Sequence, residues 1–311
     1  MQEEPRKQSY PLWHNAIAGS VAGAGARLAT APLDLLRIRR QLESNVVYPR
    51  PSLYRQMMTI VELEGGFPAL FRGTVAATYL WIGYSGVQFA LYGSIQDFFK
   101  SRDDVDNPHP TLVAFMAGGV AGVVATWATY PFDICRTIFA ARGMSLHSMA
   151  DPDPIQRPPS SLKEFAIRLY RQKGIRGLYA GGFPATVQIM PYMGLNFAIY
   201  DVLTRDDRRV FLSGMAGSLS GAVSKIIVYP IDTVKKRLQA QAAFGPTIGR
   251  SSYHGMTDCI LKVHKTEGVG AFYRGLVPSV LKTTLGSGLS FALYRGTKNL
   301  LESFHDHWTE R

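Results

Sequence analysis

The chain has 311 residues, 46% of them hydrophobic, and its 34 Lys and Arg against 23 Asp and Glu give a formal net charge of +11. Because no nucleic-acid-binding module occurs, this excess of cations points to an anionic substrate or to anionic lipid. The two cysteines show neither metal nor disulfide spacing, and the first ten residues carry neither a secretory signal nor an Arg-rich transit pattern.

Apolar residues are gathered into six blocks, each with at most one charge. At about 20 residues, each block is long enough to cross a bilayer core as a helix, although a buried soluble helical core stays open as an alternative. The blocks are residues 16–33, 74–95, 112–132, 181–200, 211–231 and 276–294.

Three copies of one pattern follow one another along the chain. Each copy predicts an apolar helix that ends near a Pro-x-Asp-x-x-Lys/Arg sequence, a polar connection, a short amphipathic helix and a second apolar helix. The prolines are Pro32, Pro131 and Pro230, spaced 99 residues apart. This spacing identifies a tandem repeat and predicts six membrane crossings, with both chain ends on one side.

Two glycine signals recur in phase with the prolines. The first apolar helix of each copy carries a Gly-x-x-x-Gly pair, which favours close packing between membrane helices. Later in each copy, a glycine is followed seven residues on by a second, closing glycine, with an aromatic residue two positions before it. The helix pairs are Gly19 and Gly23, Gly118 and Gly122, and Gly217 and Gly221, and the closing signatures span residues 66–73, 174–181 and 268–275.

The polar connections contain three amphipathic stretches, at residues 53–64, 162–172 and 256–266. They are typical of helices that lie at a membrane surface, and ordinary loop helices fit them equally well. The proline-rich insertion at 151–159 predicts a mobile loop.

The three Pro-x-Asp-x-x-Lys/Arg sequences, each followed by a Gly-aromatic-basic-Gly signature, resemble the mitochondrial carrier family over nearly the whole chain. The resemblance implies an all-α membrane protein with six transmembrane helices in three tandem two-helix repeats, pseudo-threefold symmetry and short matrix-side amphipathic helices. It also implies a multi-pass protein of the mitochondrial inner membrane, with a central water-filled cavity, alternating access and both termini in the intermembrane space. Ile138 and Ala180 depart from the pattern, because a basic residue is typical at both positions.

The same resemblance sets the domain boundaries. We expect an N-terminal segment at 1–12, three carrier repeats at 13–105, 106–206 and 207–304, and a C-terminal tail at 305–311.

Charged residues around the prolines predict a gate. Proline kinks a membrane helix, so three equivalent kinks should bring three helix ends together and narrow the cavity. Each aspartate should pair with the cation of the next copy, because an isolated carboxylate at membrane depth is costly. A static structural ring is the alternative. The predicted gate consists of Asp34, Arg37, Asp133, Arg136, Asp232 and Lys235, with Gln41 and Gln239 as braces and Ala140 in the third bracing position.

The family's corresponding network at the opposite end is poor in this chain. An aromatic-acidic pair is expected in each copy, followed by a basic residue. The copies instead have Tyr92-Gly93, Tyr200-Asp201 and Tyr294-Arg295, with Gln96, Thr204 and Lys298 at the later position. We therefore expect a weaker gate there.

Positions at which the three copies carry different residues predict the substrate site. A near-symmetric cavity should depart from its symmetry where its side chains contact an asymmetric ligand. Arg27, Lys225 and Lys282 stand at asymmetric positions inside apolar helices, with no balancing acid at their level. Such cations mark a functional site by default, although snorkelling to headgroups is the alternative. The three cations fit a substrate with a diphosphate group. Aromatic side chains in the same helices could stack on a ring of the substrate or face lipid. The candidate substrate-binding residues are Arg27, Lys225, Lys282, Gln188, Gln88, Asn196, Tyr84, Tyr192, Trp81 and Thr283.

Residues 82–89, 191–197 and 287–291, together with the three cations, resemble the thiamine pyrophosphate carriers of that family. This implies import of thiamine pyrophosphate, by exchange with nucleotides or other phosphates. Carriers of coenzyme A or adenine nucleotides and a non-transporting membrane adaptor are the alternatives. The run Lys235-Lys236-Arg237, in place of three arginines, counts against ADP/ATP exchange.

The remaining expectations concern cofactors and partners. No nucleophile, metal or phosphate-loop constellation occurs, so we expect neither an enzyme nor a resident cofactor nor a metal site. As partners we expect the small anionic substrate and membrane lipids, with cardiolipin at the matrix-side helix ends, no nucleic acid, and a monomeric state.

Overall fold

The fold is a bundle of long helices joined by short ones. The computed structural model describes residues 12–43, 51–100, 110–146, 161–204, 210–244 and 252–309. The regular elements of these ranges are all helical, which confirms the all-α prediction. The insertion at 151–159 lies outside the described residues. The α-helices are α1 (Leu12–Leu42), α2 (Leu53–Leu63), α3 (Thr74–Lys100), α4 (Pro110–Leu146), α5 (Leu162–Leu178), α6 (Gly182–Thr204), α7 (Val210–Phe244), α8 (Met256–Glu267) and α9 (Leu276–Thr309).

The first helix of each repeat runs through its proline. We expected these helices to end near the Pro-x-Asp sequence, and this expectation is wrong: α1, α4 and α7 contain Pro32, Pro131 and Pro230 in their interiors. A proline removes only one backbone hydrogen bond, and packed membrane helices tolerate this loss. The residues beyond each proline therefore stay helical and point their charges at one another.

Glycines with positive φ set the connections between the short and long helices. Gly66 and Gly268 adopt φ of 83° and 77° and separate α2 and α8 from the 3₁₀ helices Phe67–Phe71 and Val269–Tyr273. In the middle repeat, Gly174 interrupts α5 with φ 62° and ψ −159°. Only glycine adopts such angles without strain, which explains why these glycines recur in phase.

Helices of neighbouring repeats pack most extensively. The pairs α1 with α9, α3 with α4, and α6 with α7 form the largest contacts, and α1, α4 and α7 also touch one another. Each repeat thus shares its longest interfaces with the repeats before and after it. The six long helices form a closed ring with pseudo-threefold symmetry.

Three apolar clusters, one near the end of each repeat's first helix, anchor the short helices. Ile60 of α2, Leu169 of α5 and Val263 of α8 are buried in them. Cys135 and Cys259 are also buried there. The short helices are therefore held against the proline-containing end of the bundle, which we call the proline end.

Candidate functional site

The ring of charges at the proline end has the predicted pairing. Each aspartate pairs with the cation of the next repeat: Asp34 with Arg136, Asp133 with Lys235, and Asp232 with Arg37. The Lys235 Nζ to Asp133 Oδ2 distance is 2.7 Å. The three contacts join α1, α4 and α7 and close the bundle at this end.

Two glutamines brace two of the three pairs. Gln41 Nε2 donates to Asp232 Oδ2 at 2.9 Å, and Gln239 Nε2 donates to Asp133 Oδ2 at the same distance. Both amides lie one helical turn beyond a gate cation, as the sequence predicts. At the third contact Ala140 offers no side chain to Asp34, so this pair has no glutamine brace.

Each gate aspartate also meets a second cation. Lys282 Nζ donates to Asp34 Oδ1 at 2.8 Å, and Lys225 Nζ lies 3.6 Å from Asp232 Oδ1. The prediction that these two cations lack a balancing acid is therefore wrong. The long side chains reach one level further toward the proline end than residue spacing suggested.

Lys236 is the second cation on Asp133, and sequence reasoning missed it. Its buried ammonium donates to Asp133 Oδ1 at 3.0 Å, to Thr137 Oγ1 at 2.8 Å and to Gln239 Oε1 at 3.1 Å. The equivalent residues of the other repeats are Ile38 and Thr137. Comparing the three copies at this position would have shown the asymmetry.

The closing glycines pack against the backbone of the gate. A Cβ added to Gly73 would lie 2.9 Å from the carbonyl oxygen of Arg136, and one on Gly275 would lie 2.7 Å from that of Arg37. Gly181 has the same relation to Lys235, at 3.0 Å. All three have positive φ. A side chain at these positions would push the gate cation aside, so the signature serves the gate although it lies in another element.

A cavity of about 470 Å³ lies next to the gate, on the side toward the middle of the bundle, between α1, α3 and α9. Four candidate substrate-binding residues line it, namely Arg27, Trp81, Lys282 and Thr283. The guanidinium carbon of Arg27 lies 4.4 Å from the centroid of the Trp81 ring, a cation–π contact. Asp34 and Arg136 form part of the same wall, so the cavity extends down to the gate.

A second group of candidates meets where α6 packs on α7. Gln188 Nε2 donates to Asp232 Oδ1 at 3.4 Å, close to Lys225. Asn196 Oδ1 accepts a 2.8 Å hydrogen bond from Ser220, which sequence reasoning did not single out. Gln88 is half-buried on α3 and does not line the 470 Å³ cavity.

The second glycine of each helix pair makes room for a candidate aromatic residue. An added Cβ would lie 3.7 Å from Trp81 at Gly23, 3.4 Å from the Tyr84 hydroxyl at Gly122, and 3.8 Å from the Tyr192 hydroxyl at Gly221. The close-packing interpretation thus holds for these glycines. Two of the first glycines differ, since Gly19 and Gly118 have no neighbour within 4 Å, whereas a Cβ on Gly217 would lie 3.9 Å from the Tyr200 ring.

Comparison with known proteins agrees with this architecture. The sequence profile of the family described as mitochondrial carrier protein matches residues 8–103, 107–205 and 206–305. The chain belongs to the mitochondrial carrier family. It is 34% identical to the mitochondrial thiamine pyrophosphate carrier of Bos taurus, over 90% of each chain. It is 29% identical to mitochondrial thiamine diphosphate carrier 1 of Arabidopsis thaliana, over 93% of this chain and 94% of the relative.

As a mitochondrial carrier, the chain is a multi-pass protein of the inner membrane, and α2, α5 and α8 mark the matrix side. Length and mean hydropathy alone select one candidate span in the described residues, Val269–Ser303, with a mean hydropathy of 1.2. The threefold repeat is the evidence for six crossings.

On the matrix side of this carrier, two glutamates each bind two arginines. Glu64 accepts bonds of 2.5 and 2.7 Å from Arg39 and pairs with Arg72. Glu267 has the same relation to Arg237 and Arg274. Sequence reasoning missed these triads, although each glutamate stands just before a closing signature.

The middle repeat replaces the triad by apolar packing, which explains its two departures from the family pattern. Ile138 is buried in one apolar cluster with Phe165 and Leu169, and Ala180 packs against this cluster. Replacing a buried ionic triad by well-packed apolar residues is compatible with equal stability. The two departures therefore belong to one structural change.

At the intermembrane-space end, two contacts stay within single helices. Lys298 Nζ lies 3.7 Å from Glu302, one turn along α9, and the Thr204 hydroxyl donates to the Tyr200 carbonyl at 2.9 Å. The side chain of Gln96 lies outside the described residues. The weaker gate at this end stays a prediction.

Proposed function

We propose that this carrier imports thiamine pyrophosphate into the matrix, in exchange for a nucleotide or another phosphate, by alternating access. The observation that carries the proposal is the cavity above the gate, where Arg27, Lys282 and Arg136 face a single carboxylate, Asp34. An excess of cations in a partly desolvated cavity favours a multiply charged anion such as a diphosphate. The names of the relatives from Bos taurus and Arabidopsis thaliana support the same substrate.

The organic half of the substrate has aromatic and amide partners within reach of the central axis. In the proposal, Tyr84, Tyr192 and Trp81 stack on or border the two rings. Gln88, Gln188, Asn196 and Thr283 supply hydrogen bonds. The thiazolium carries a positive charge, which an aromatic face attracts.

Substrate binding and gate opening are coupled in this proposal through Lys225 and Lys282. An anion bound to these ammonium groups also competes with Asp232 and Asp34 for the gate cations Arg37 and Arg136, and so weakens two of the three gate contacts. Each close ion pair gains about 4 kcal/mol in Coulomb energy at an effective dielectric near 20, before desolvation is subtracted. Differential binding of about 5.5 kcal/mol is enough to swing a two-state equilibrium from 1:99 to 99:1, so a ligand of ordinary affinity can drive the change.

Uptake by liposomes that contain the purified carrier tests the proposal. We expect labelled thiamine pyrophosphate to enter faster when the liposomes hold a nucleotide than when they hold buffer alone. A panel with coenzyme A and ATP separates the alternative substrates. Rapid uptake of either compound without thiamine pyrophosphate would show that the substrate assignment is wrong, and no uptake of any phosphate would favour the adaptor.

We also propose that the carrier acts as a monomer and binds cardiolipin between the second and third repeats. A cleft of about 480 Å³ there is lined by Lys173, Arg176 and the first residues of α6 and α8. Helix N-termini and lysine side chains favour phosphate groups. Added cardiolipin should raise the thermal stability of the detergent-solubilised carrier, and Lys173→Ala with Arg176→Ala should reduce this effect.

A further inference from the structure

The residue before the gate proline differs among the repeats. It is Tyr130 in the middle repeat and Tyr229 in the third, but Ala31 in the first. Both tyrosines are almost completely buried. Their hydroxyls donate to the closing signature of their own repeat, Tyr130 to the Ala180 carbonyl at 2.8 Å and Tyr229 to the Arg274 carbonyl at 3.2 Å.

The same tyrosine rings face the gate. Lys235 Nζ lies 5.5 Å from the ring centroid of Tyr130, and the guanidinium carbon of Arg37 lies 5.9 Å from that of Tyr229. Each tyrosine thus fills the space between a closing glycine and the gate cation of the next repeat. By symmetry, a tyrosine at position 31 would lie between Gly73 and Arg136.

That space is open in the first repeat and is continuous with the substrate cavity. Five residues around this space line the 470 Å³ cavity, and we call this region the Ala31 notch. It is formed by Ala31, Arg72, Gly73, Arg136 and Ala140. Ala140 stands where the other two gate pairs have a bracing glutamine. The first repeat therefore lacks both the tyrosine and the glutamine that accompany the other two gate contacts.

Positive charge dominates the walls of the Ala31 notch. Arg136 and Lys282 share one carboxylate, Asp34, whereas the guanidinium of Arg72 is held by Glu64. Two cations that share one acid retain attraction for a further anion. The notch is thus both vacant of side chains and suited to a phosphate.

We infer that the Ala31 notch receives the terminal phosphate of the transported diphosphate, at the level of the gate and deeper than Arg27. The inference rests on the proposed function. A phosphate in the notch competes with Asp34 for Arg136 and Lys282, which opens the unbraced gate contact. A monophosphate that is anchored higher in the cavity does not reach this contact, so the notch selects diphosphates.

Filling the notch tests the inference. Ala31→Tyr restores the residue of the other two repeats, and Ala31→Leu fills the same space without a hydroxyl. Binding of inorganic pyrophosphate and of thiamine pyrophosphate is measured as ligand-dependent thermal stabilisation in lipid-free detergent. We expect both variants to raise the Kd of either ligand about tenfold or more, the scale for loss of a desolvated charged contact. Val21→Tyr, at an exposed position of the same helix about three turns from the notch, is the control and should bind as the wild type does.

Three outcomes would overturn the inference. Unchanged pyrophosphate affinity in both Ala31 variants, with or without slower transport, would mean that position 31 acts on the gate alone. Failure of pyrophosphate to stabilise the wild type would show that the notch is not a phosphate site. If added cardiolipin stabilises the wild type, pyrophosphate does not, and the cardiolipin effect is lost in Ala31→Tyr, the notch binds a lipid headgroup. If the wild type binds pyrophosphate but does not exchange thiamine pyrophosphate, the proposed function fails and the notch stands.

Discussion

Each gate aspartate is held by two cations, and the second cation differs from one repeat to the next. Lys282 and Lys225 come from the cavity side, whereas Lys236 is buried among polar groups of α4 and α7. A cavity-side lysine can leave its aspartate for a ligand, but a buried one has no such partner. The contact at Asp133 should therefore be the most stable of the three.

The first prediction concerns Asp133. Asp133→Asn should cost about 3 to 5 kcal/mol in stability, because it leaves Lys236 buried without a counter-ion, and it should greatly slow transport. Thermal unfolding and liposome exchange measure the two effects. The double variant Asp133→Asn with Lys236→Met should recover part of the stability but not the transport, and equal stability of the single and double variants would contradict the assignment.

The second prediction concerns Lys282. Lys282→Ala should weaken binding of thiamine pyrophosphate more than tenfold, on the order of the 2 to 5 kcal/mol found when one partner of a buried charged contact is truncated. Thiamine monophosphate should lose much less. Tyr192→Ala, which alters the organic half of the site, is the matched control and should weaken both ligands alike. Equal losses of affinity for the two ligands in Lys282→Ala would show that this lysine does not distinguish a diphosphate from a monophosphate.

At the scale of elements, the sequence predicted the short helices and the pairing of the charged ring, because both follow a strict repeat. It missed the continuation of α1, α4 and α7 past their prolines, since proline alone is an ambiguous signal and the holding contacts lie in other repeats. It also missed the approach of Lys225 and Lys282 to the gate. Residue spacing gives the position of a Cα along the helix axis, but it does not say how far a long side chain extends from it.

The third prediction concerns the apolar contact of the middle repeat. Ile138→Arg restores the family's usual residue but buries a charge in the cluster that holds α5. It should lower stability by about 3 to 5 kcal/mol, as expected for an unpaired buried charge. Ile138→Leu, which conserves volume, should cost less than about 1.5 kcal/mol. Thermal unfolding of the two purified variants decides, and similar midpoints would mean that this repeat has a hidden acidic partner.

At the scale of the whole molecule, the largest helix contacts lie between repeats rather than within them. A two-helix repeat is therefore not a stable unit by itself, and the closed ring is the smallest structure that buries every long interface. This arrangement suits a single cavity within one chain. It also means that equivalent positions of the three copies can be compared directly, because they face the same axis.

The fourth prediction is topological. Single cysteines at residues 3 and 309, introduced after Cys135 and Cys259 are replaced by serine, should both be labelled by a membrane-impermeant thiol reagent from the intermembrane space. Six crossings place the two chain ends on one side of the membrane, opposite to the connections that hold α2, α5 and α8. A cysteine in the connection between α1 and α2 is the control for the matrix side. Labelling of the two terminal cysteines from opposite sides would refute six crossings.

The contact between α1 and α9 has a consequence for chain connectivity. These two helices pack as closely as α3 with α4 and α6 with α7, yet only the latter two pairs are joined by a loop. The ring therefore has three equivalent seams, and the polypeptide is interrupted at only one of them. A circular permutant that begins at the second repeat and joins the original ends by a short linker should assemble the same carrier. The order of the repeats would then be a record of duplication, not a requirement of the fold.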